Sequence, residues 1–295
     1  MPMFFIISGF LYSKKTPEEL STGAFIKKKA KTLLLPYFVF GLIHYFIWIA
    51  IYGFSLEPLT RLFFFNTEDG MPIAGALWFL TALFITDAVF FVLDRYIKNR
   101  IVFITTIITI SLFGTVARLL LPFILPFGMS AGFVGLGLFE IGILLKRASK
   151  SKVYKWFDEI GLLPKALFIF ALGALTCILI IMNGAVNMRD GKYAIIPLFW
   201  INATLATVMG FLLSKEWVKH IMIKLVNGYI CGIGRESIVY LCLNQLVIFF
   251  VKAGFESISL PFIVQQIIVL VITLVILYFL CRVVFKTKLK YLFGK

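Results

Sequence analysis

The chain has 295 residues, 61% of them hydrophobic and only 15% charged, with a net charge of +15 and a mean hydropathy of +1.00. A soluble domain is nearer 45–50% apolar with about 25% charged residues, so this composition excludes one and leaves a polytopic membrane protein with the lipid bilayer as its solvent. No basic patch alternates with exposed aromatics, which argues against a nucleic-acid partner, and positive charge on cytoplasmic loops accounts for the balance.

The first stretch, MPMFFIISGFLYSKK, is apolar for about twelve residues, roughly 18 Å as a helix. Crossing the hydrocarbon takes about 30 Å. Its charge follows the apolar run, at Lys14 and Lys15, which is the reverse of a signal peptide. Further apolar runs lie at 33–53, 76–94, 101–119, 126–145, 163–182, 194–213, 236–252 and 262–285. Together they predict an all-α transmembrane helix bundle of about nine spans, the first incomplete, with 1–295 as a single membrane domain.

Every second connection is basic, and these together hold 24 of the 29 lysines and arginines. That alternation puts the basic face and the C-terminus in the cytoplasm and Met1 outside. A half-length helix that starts outside suggests a chain shortened by one helix at its N-terminus. Cys177, Cys231, Cys242 and Cys281 lie singly in or beside apolar runs, without metal-ligand spacing, and read as small packing residues.

Several segments, in order, carry a resemblance. MPMFFIISGFLYSKK resembles the second-helix signature of the acyltransferase 3 family, the integral membrane O-acyltransferases, in the style of fucose 4-O-acetylase-like and sugar O-acetylase members. KKKAKTLLLPYFVFG, GALWFLTALF, GLGLFEIGILLK, NGAVNMRDGKY and IGRESIVYLCLNQLVI resemble later family segments across the whole chain. The resemblance implies transfer of an acyl group, usually acetyl from cytoplasmic acetyl-CoA, to a hydroxyl of a cell-surface or lipid-linked sugar. It also implies a bacterial plasma membrane. The family's catalytic histidine, on its first helix, would lie ahead of Met1, and Asn244 stands where many members have histidine. The expectation is therefore that this chain alone is inactive.

Such a reaction needs a base, oxyanion donors and positive charge for the CoA phosphates. Lys27, Lys28, Lys29 and Lys31 offer that charge, either as a phosphate clamp or as plain cytoplasmic anchoring. Arg235 is a further candidate for the acyl donor; with Glu236 it precedes Ser237, which is placed to cap a helix. His44, Asp87 and Glu140 are the weak candidates for catalysis, each polar within an apolar run and expected to face the protein interior with a partner. With Asn202, Asn244 and Gln245 they suggest a polar tunnel or an interhelical hydrogen-bond network. His220 lies in an amphipathic stretch. Outside, Asn183, Asn187, Arg189 and Asp190 suit sugar hydroxyls, although Asn-Gly at 183–184 also reads as a turn. Trp78 is either a stacking residue for substrate or a member of an interfacial aromatic belt. A transporter or flippase for a polar or lipid-linked substrate, and a catalytically inactive relative, are the alternatives. No self-similarity between the halves supports a transporter repeat.

Overall fold

The computed structural model describes residues 1–13, 19–65, 74–220, 224–255 and 261–294. Lys14, Lys15 and Lys295 lie outside the described residues. In chain order the α-helices are α1 (Pro2–Leu11), α2 (Thr22–Lys29), α3 (Leu35–Tyr52), α4 (Glu57–Thr60), α5 (Trp78–Tyr96), α6 (Arg100–Leu120), α7 (Met129–Ala148), α8 (Lys152–Glu159), α9 (Leu162–Asn183), α10 (Ile196–His220), α11 (Lys224–Arg235), α12 (Ser237–Phe255) and α13 (Phe262–Lys286). Two short strands, β1 (Val186–Asn187) and β2 (Lys192–Tyr193), pair antiparallel.

Among the described residues seven helical rods are long and apolar enough to cross a membrane, with α2 and α3 counted as one. The architecture is an all-α membrane bundle. Two of the nine expected segments fall outside the seven, for different reasons. α1 has only 10 residues. α5 has 19 but carries Asp87, Asp94 and Arg95. Both pack against α7, which is richer in buried positions than the other rods.

The contacts of α7 are made by glycines. A Cβ on Gly9 of α1 would overlap the Phe139 carbonyl, and one on Gly142 would overlap that of Ile6. Gly135 makes room for the Phe5 ring and Gly132 for Ala82 and Ile85 of α5. Small residues let helix backbones approach where no hydrophobic effect drives helices together. Phe5 lies at Gly135 and Phe10 at Gly142, and Ala82 lies at Gly132 and Phe90 at Phe139, so α1, α5 and α7 run parallel. Thr86 of α5 ties the second contact by donating to the Gly132 carbonyl at 2.8 Å.

The basic run 27–31 is helical, where a loop was expected. Ser21 caps α2 by accepting from the Ala24 N–H at 3.2 Å. The rod then passes through a π turn at Ala30–Leu34 into α3. Pro36 has no N–H, and its ring disfavours the carbonyl four residues back; the wider i→i+5 spacing of the π turn accommodates that mismatch. Ser237 is not a cap: α11 and α12 are separated only by Glu236, whose N–H still bonds the Gly232 carbonyl at 3.0 Å. The helix at that end simply continues through a kink.

Two connections on the face away from the lysines fold back into the bundle. Residues 61–65 form a π turn alongside α3. The Tyr37 hydroxyl donates to the Leu62 carbonyl, Phe38 stacks on Phe63 at 5.4 Å, and Gly41 leaves space for the Leu62 side chain. Gly41 is about 16 Å along the axis from the end of α3 at Tyr52. The β1–β2 hairpin turns through Gly191 at φ +66 and buries Met188 among Phe5, Trp78 and Val134. Backbone of this kind is tolerated at membrane depth only where protein or a polar cavity surrounds it.

The α1–α7 contact predicts a strong size limit. Gly142→Leu should cost at least about 3 kcal/mol and abolish the monodisperse peak in detergent size-exclusion chromatography. Gly23→Ala, where a Cβ meets nothing within 4 Å, should leave that peak unchanged.

Candidate functional site

The lysine-rich face holds a connected charge network where α1, α2, α5, α6 and α7 meet. Asp87 is 5% exposed, and its Oδ2 lies 2.7 Å from the Lys29 ammonium. An isolated carboxylate would be costly in hydrocarbon, so the pair explains how Asp87 is accommodated. Phe25 stacks on Phe91 with ring centroids 3.9 Å apart and locks α2 on α5 beside that pair. Arg95 donates to the Thr22 hydroxyl and the Leu20 carbonyl, both at 2.8 Å, and closes the same contact.

One helix away, Arg100 at the start of α6 pairs with Glu140 of α7. Tyr12, just past α1, donates to Asp94 at 3.0 Å, while its carbonyl accepts from the Lys146 ammonium at 2.7 Å. Burial and the Asp94 carboxylate push the Tyr12 phenol above its ordinary value, so it stays a donor. Between these groups lies a cavity of about 270 Å³ with Asp94, Lys98, Arg100 and Arg147 on its wall and Phe90 and Phe103 below. This grouping was not visible in the sequence. Lys98, Arg100 and Arg147 read there as ordinary loop cations, and only their convergence on Glu140 and Asp94 sets them apart.

The opposite face carries the hairpin residues. Asn187 donates to Asp190 at 2.6 Å and accepts from the Arg189 N–H at 3.1 Å, so both groups help shape the turn. Asn183 is buried and accepts from the Ile195 N–H at 3.1 Å, closing the hairpin base. Asp190 shares a small cavity with Arg118 and Ser130. Beside the hairpin, a larger cavity of about 470 Å³ is lined by Asn183, Asn202 and Thr207 together with Met1, Met3 and Phe199. Arg189 reaches inward to within electrostatic range of Tyr37 on α3.

Of the remaining candidates, Trp78 sits in the core at 6% exposure, edge-on to Phe79 at 6.2 Å. His44 is 1% exposed, and neither ring nitrogen has a hydrogen-bond partner among the described residues. It lies on the buried stripe of α3 that also holds Tyr37, Phe40, Gly41 and Tyr45. Asn244 Oδ1 accepts from the neighbouring Gln245 N–H at 2.6 Å. His220 sits 3.3 Å from Glu216 on α10. Arg235 ends α11. Thus the structure gathers Lys29, Asp87 and Glu140 on one face and Asn183, Asn187, Arg189 and Asp190 on the other, with His44 between helices.

A helical bundle with seven long apolar rods among the described residues, cations concentrated at one face and a folded-back polar hairpin at the other defines an integral membrane protein. Its family follows from comparison: the acyltransferase domain of the acyltransferase 3 family matches residues 1–282. The chain belongs to that family and is a membrane acyltransferase. No curated protein matches the chain, and neither does any solved structure.

The Lys29–Asp87 pair separates structural from binding lysines. Lys29→Ala should destabilise the protein by about 2 kcal/mol, less than the roughly 3–5 kcal/mol of a fully buried pair, because Lys29 is 33% exposed. Adding Asp87→Asn should recover most of that loss. Lys27→Ala and Lys28→Ala should change the unfolding midpoint little, as followed by thermal denaturation in detergent.

Proposed function

We propose that the chain transfers an acyl group, acetyl in the first instance, from cytoplasmic acyl-CoA to a hydroxyl of a cell-surface or lipid-linked sugar. The setting is a bacterial plasma membrane with the C-terminus inside. The observation that carries this reading is the division of polar groups between the two faces. Lys27, Lys28, Lys31 and Arg235 supply positive charge for the donor's phosphates on the basic face, and Lys29 shares its charge with Asp87. The hairpin residues Asn183, Asn187, Arg189 and Asp190, with the 470 Å³ cavity beside them, supply hydrogen-bonding groups for a sugar on the other. Trp78 supports that acceptor side from behind, through the core in which Met188 is held.

The chemistry is attack of a sugar hydroxyl oxygen on the thioester carbonyl. The hydroxyl proton leaves to a base, and the CoA thiolate departs and takes up a proton. Asp87 and Glu140 are committed to ion pairs with Lys29 and Arg100. Of the three candidates, His44 has no partner on either ring nitrogen among the described residues, whereas Glu140 leaves only Oε2 unpaired beside its pair with Arg100. This reading gives His44 the base's role. Its place supports that assignment: it lies on the buried stripe of α3, two helical turns from Tyr37.

Native membranes from source cells, given radiolabelled acetyl-CoA, should pass label to a hydroxylamine-labile glycan or lipid-sugar ester. Membranes from cells lacking this protein should not. His44→Gln, with normal protein levels, should lower the rate by roughly 10²–10⁴-fold, the range of a lost general base. Equal labelling with and without the protein would refute the transfer reading. A fully active His44→Gln variant would remove His44 alone.

A further inference from the structure

We propose that the cavity between α11, α12 and α13 is a nucleotide pocket that seats the adenosine end of the acyl donor; this deepens the reading above and rests on it for the donor's identity. The cavity measures about 730 Å³ and is larger than the three described above. Its walls carry three chemistries at once. Tyr229, Tyr240 and Tyr278 provide an aromatic surface, Arg282 and Lys286 provide cations, and Glu236 provides a carboxylate.

These groups are held in place. The Tyr229 ring packs on Tyr278 at 5.2 Å, and its hydroxyl donates to the Leu274 carbonyl at 3.2 Å. The Arg282 guanidinium lies over the Tyr278 ring at 4.7 Å. The Cys281 thiol donates to Glu236 Oε2 at 2.7 Å, which fixes the carboxylate across the α11–α12 kink. The fourth wall is bare. Gly228 and Gly232 lie one turn apart on α11, and a Cβ at either would meet nothing within 4 Å. Elsewhere in this bundle, at Gly9, Gly135 and Gly142, glycines are filled by a neighbouring helix. Here they border open space.

The combination selects its ligand. Aromatic rings and a guanidinium offer stacking surfaces for a nucleobase. Arginine and lysine suit phosphate oxygens. A carboxylate repels phosphate but accepts from an exocyclic amine such as that of adenine. A simple phospholipid headgroup would use only the cations. The pocket also sits on the same face as the lysine run. Beyond Lys286 the chain forms a 3-10 segment, Lys288–Phe293, whose Phe293 packs on Phe40 at 4.6 Å. Gly294 then meets the Lys31 carbonyl so closely that a side chain there would overlap it. The end of α13 is thereby fastened to the rod that carries Lys27, Lys28 and Lys31.

The test uses the protein in nanodiscs of zwitterionic lipid, with adenosine 3′,5′-bisphosphate as the binding probe. Gly232→Leu fills the pocket without altering charge, raises helix propensity, and replaces a glycine outside the positive-φ positions. It should weaken probe binding at least 10-fold, as should Arg282→Ala with Lys286→Ala. In the transfer assay Gly232→Leu should raise KM for acetyl-CoA by a similar factor at unchanged kcat. It should leave KM unchanged for acetyl-phosphopantetheine, which lacks the nucleotide.

Wild-type binding of the probe that neither variant weakens would overturn the pocket, as would no binding at all. Absence of probe binding together with retention of phosphatidylglycerol by wild type but not by Gly232→Leu would reassign the cavity to a lipid headgroup and also overturn it. Probe binding lost in the variants, with no acetyl transfer by wild type, would uphold the pocket and refute the transfer reading. Transfer with equal KM for acetyl-CoA in all variants would do the reverse.

Discussion

The contact between α1 and α7 holds a ten-residue helix within a bundle of rods about twice its length. It is made by backbone meeting backbone at Gly9 and Gly142. Side-chain packing alone would keep the two axes farther apart, and every group beyond the end of α1 would move with them. Tyr12 is the first of these. Its hydroxyl finds Asp94 on α5 and its carbonyl finds Lys146 on α7, so the end of one short helix ties two long ones together. The charge network on the lysine-rich face is built around that junction.

The network then decides which cations are available for other work. Asp87 cannot remain alone at its depth, and the rod of α2 and α3 brings Lys29 to it. Glu140 draws Arg100 in the same way. Lys29 and Arg100 are therefore structural, while Lys98 and Arg147 line the cavity beside Tyr12 and Lys27, Lys28 and Lys31 extend along the basic rod. Pairing of this sort adds little net stability, because desolvation offsets most of the attraction. Its effect is to fix register: each carboxylate accepts one helix placement and penalises the others.

Much of the bundle was legible in the sequence. Apolar runs of about twenty residues marked the apolar part of each rod, because the bilayer imposes length and polarity together, while the polar extensions at 22–32 and 214–220 went unread as parts of the rods. The basic run 27–31 was legible as charge but not as helix, since the π turn that carries it past Pro36 is a local compromise of backbone geometry. Asp87 and Glu140 could be singled out as costly groups, but their partners lie 58 and 40 positions away in sequence, and no periodicity encodes such a pairing. The hairpin was read as an outside connection because polar, turn-rich sequence looks the same whether it meets water or a protein interior. The aromatic cavity under α11 was hidden for a related reason: Gly228 and Gly232 are indistinguishable in sequence from glycines that admit a neighbouring helix.

The folded-back segments bear on the chemistry as well as the fold. In the proposed reading a donor on one face and an acceptor on the other meet within the bundle, which requires polar groups at depth without a continuous water path. Leu62 meets Tyr37 of α3, two turns from His44 on the same buried stripe. The Tyr37 hydroxyl satisfies a carbonyl that the hydrocarbon would otherwise leave unpaired. That bond holds irregular backbone against the helix face that carries an unpartnered imidazole. In the proposed reading the buried His44 ring is a proton acceptor whose surroundings are set by protein rather than by solvent. In such a place a modest number of fixed dipoles has more influence on a developing charge than the same groups would have in water.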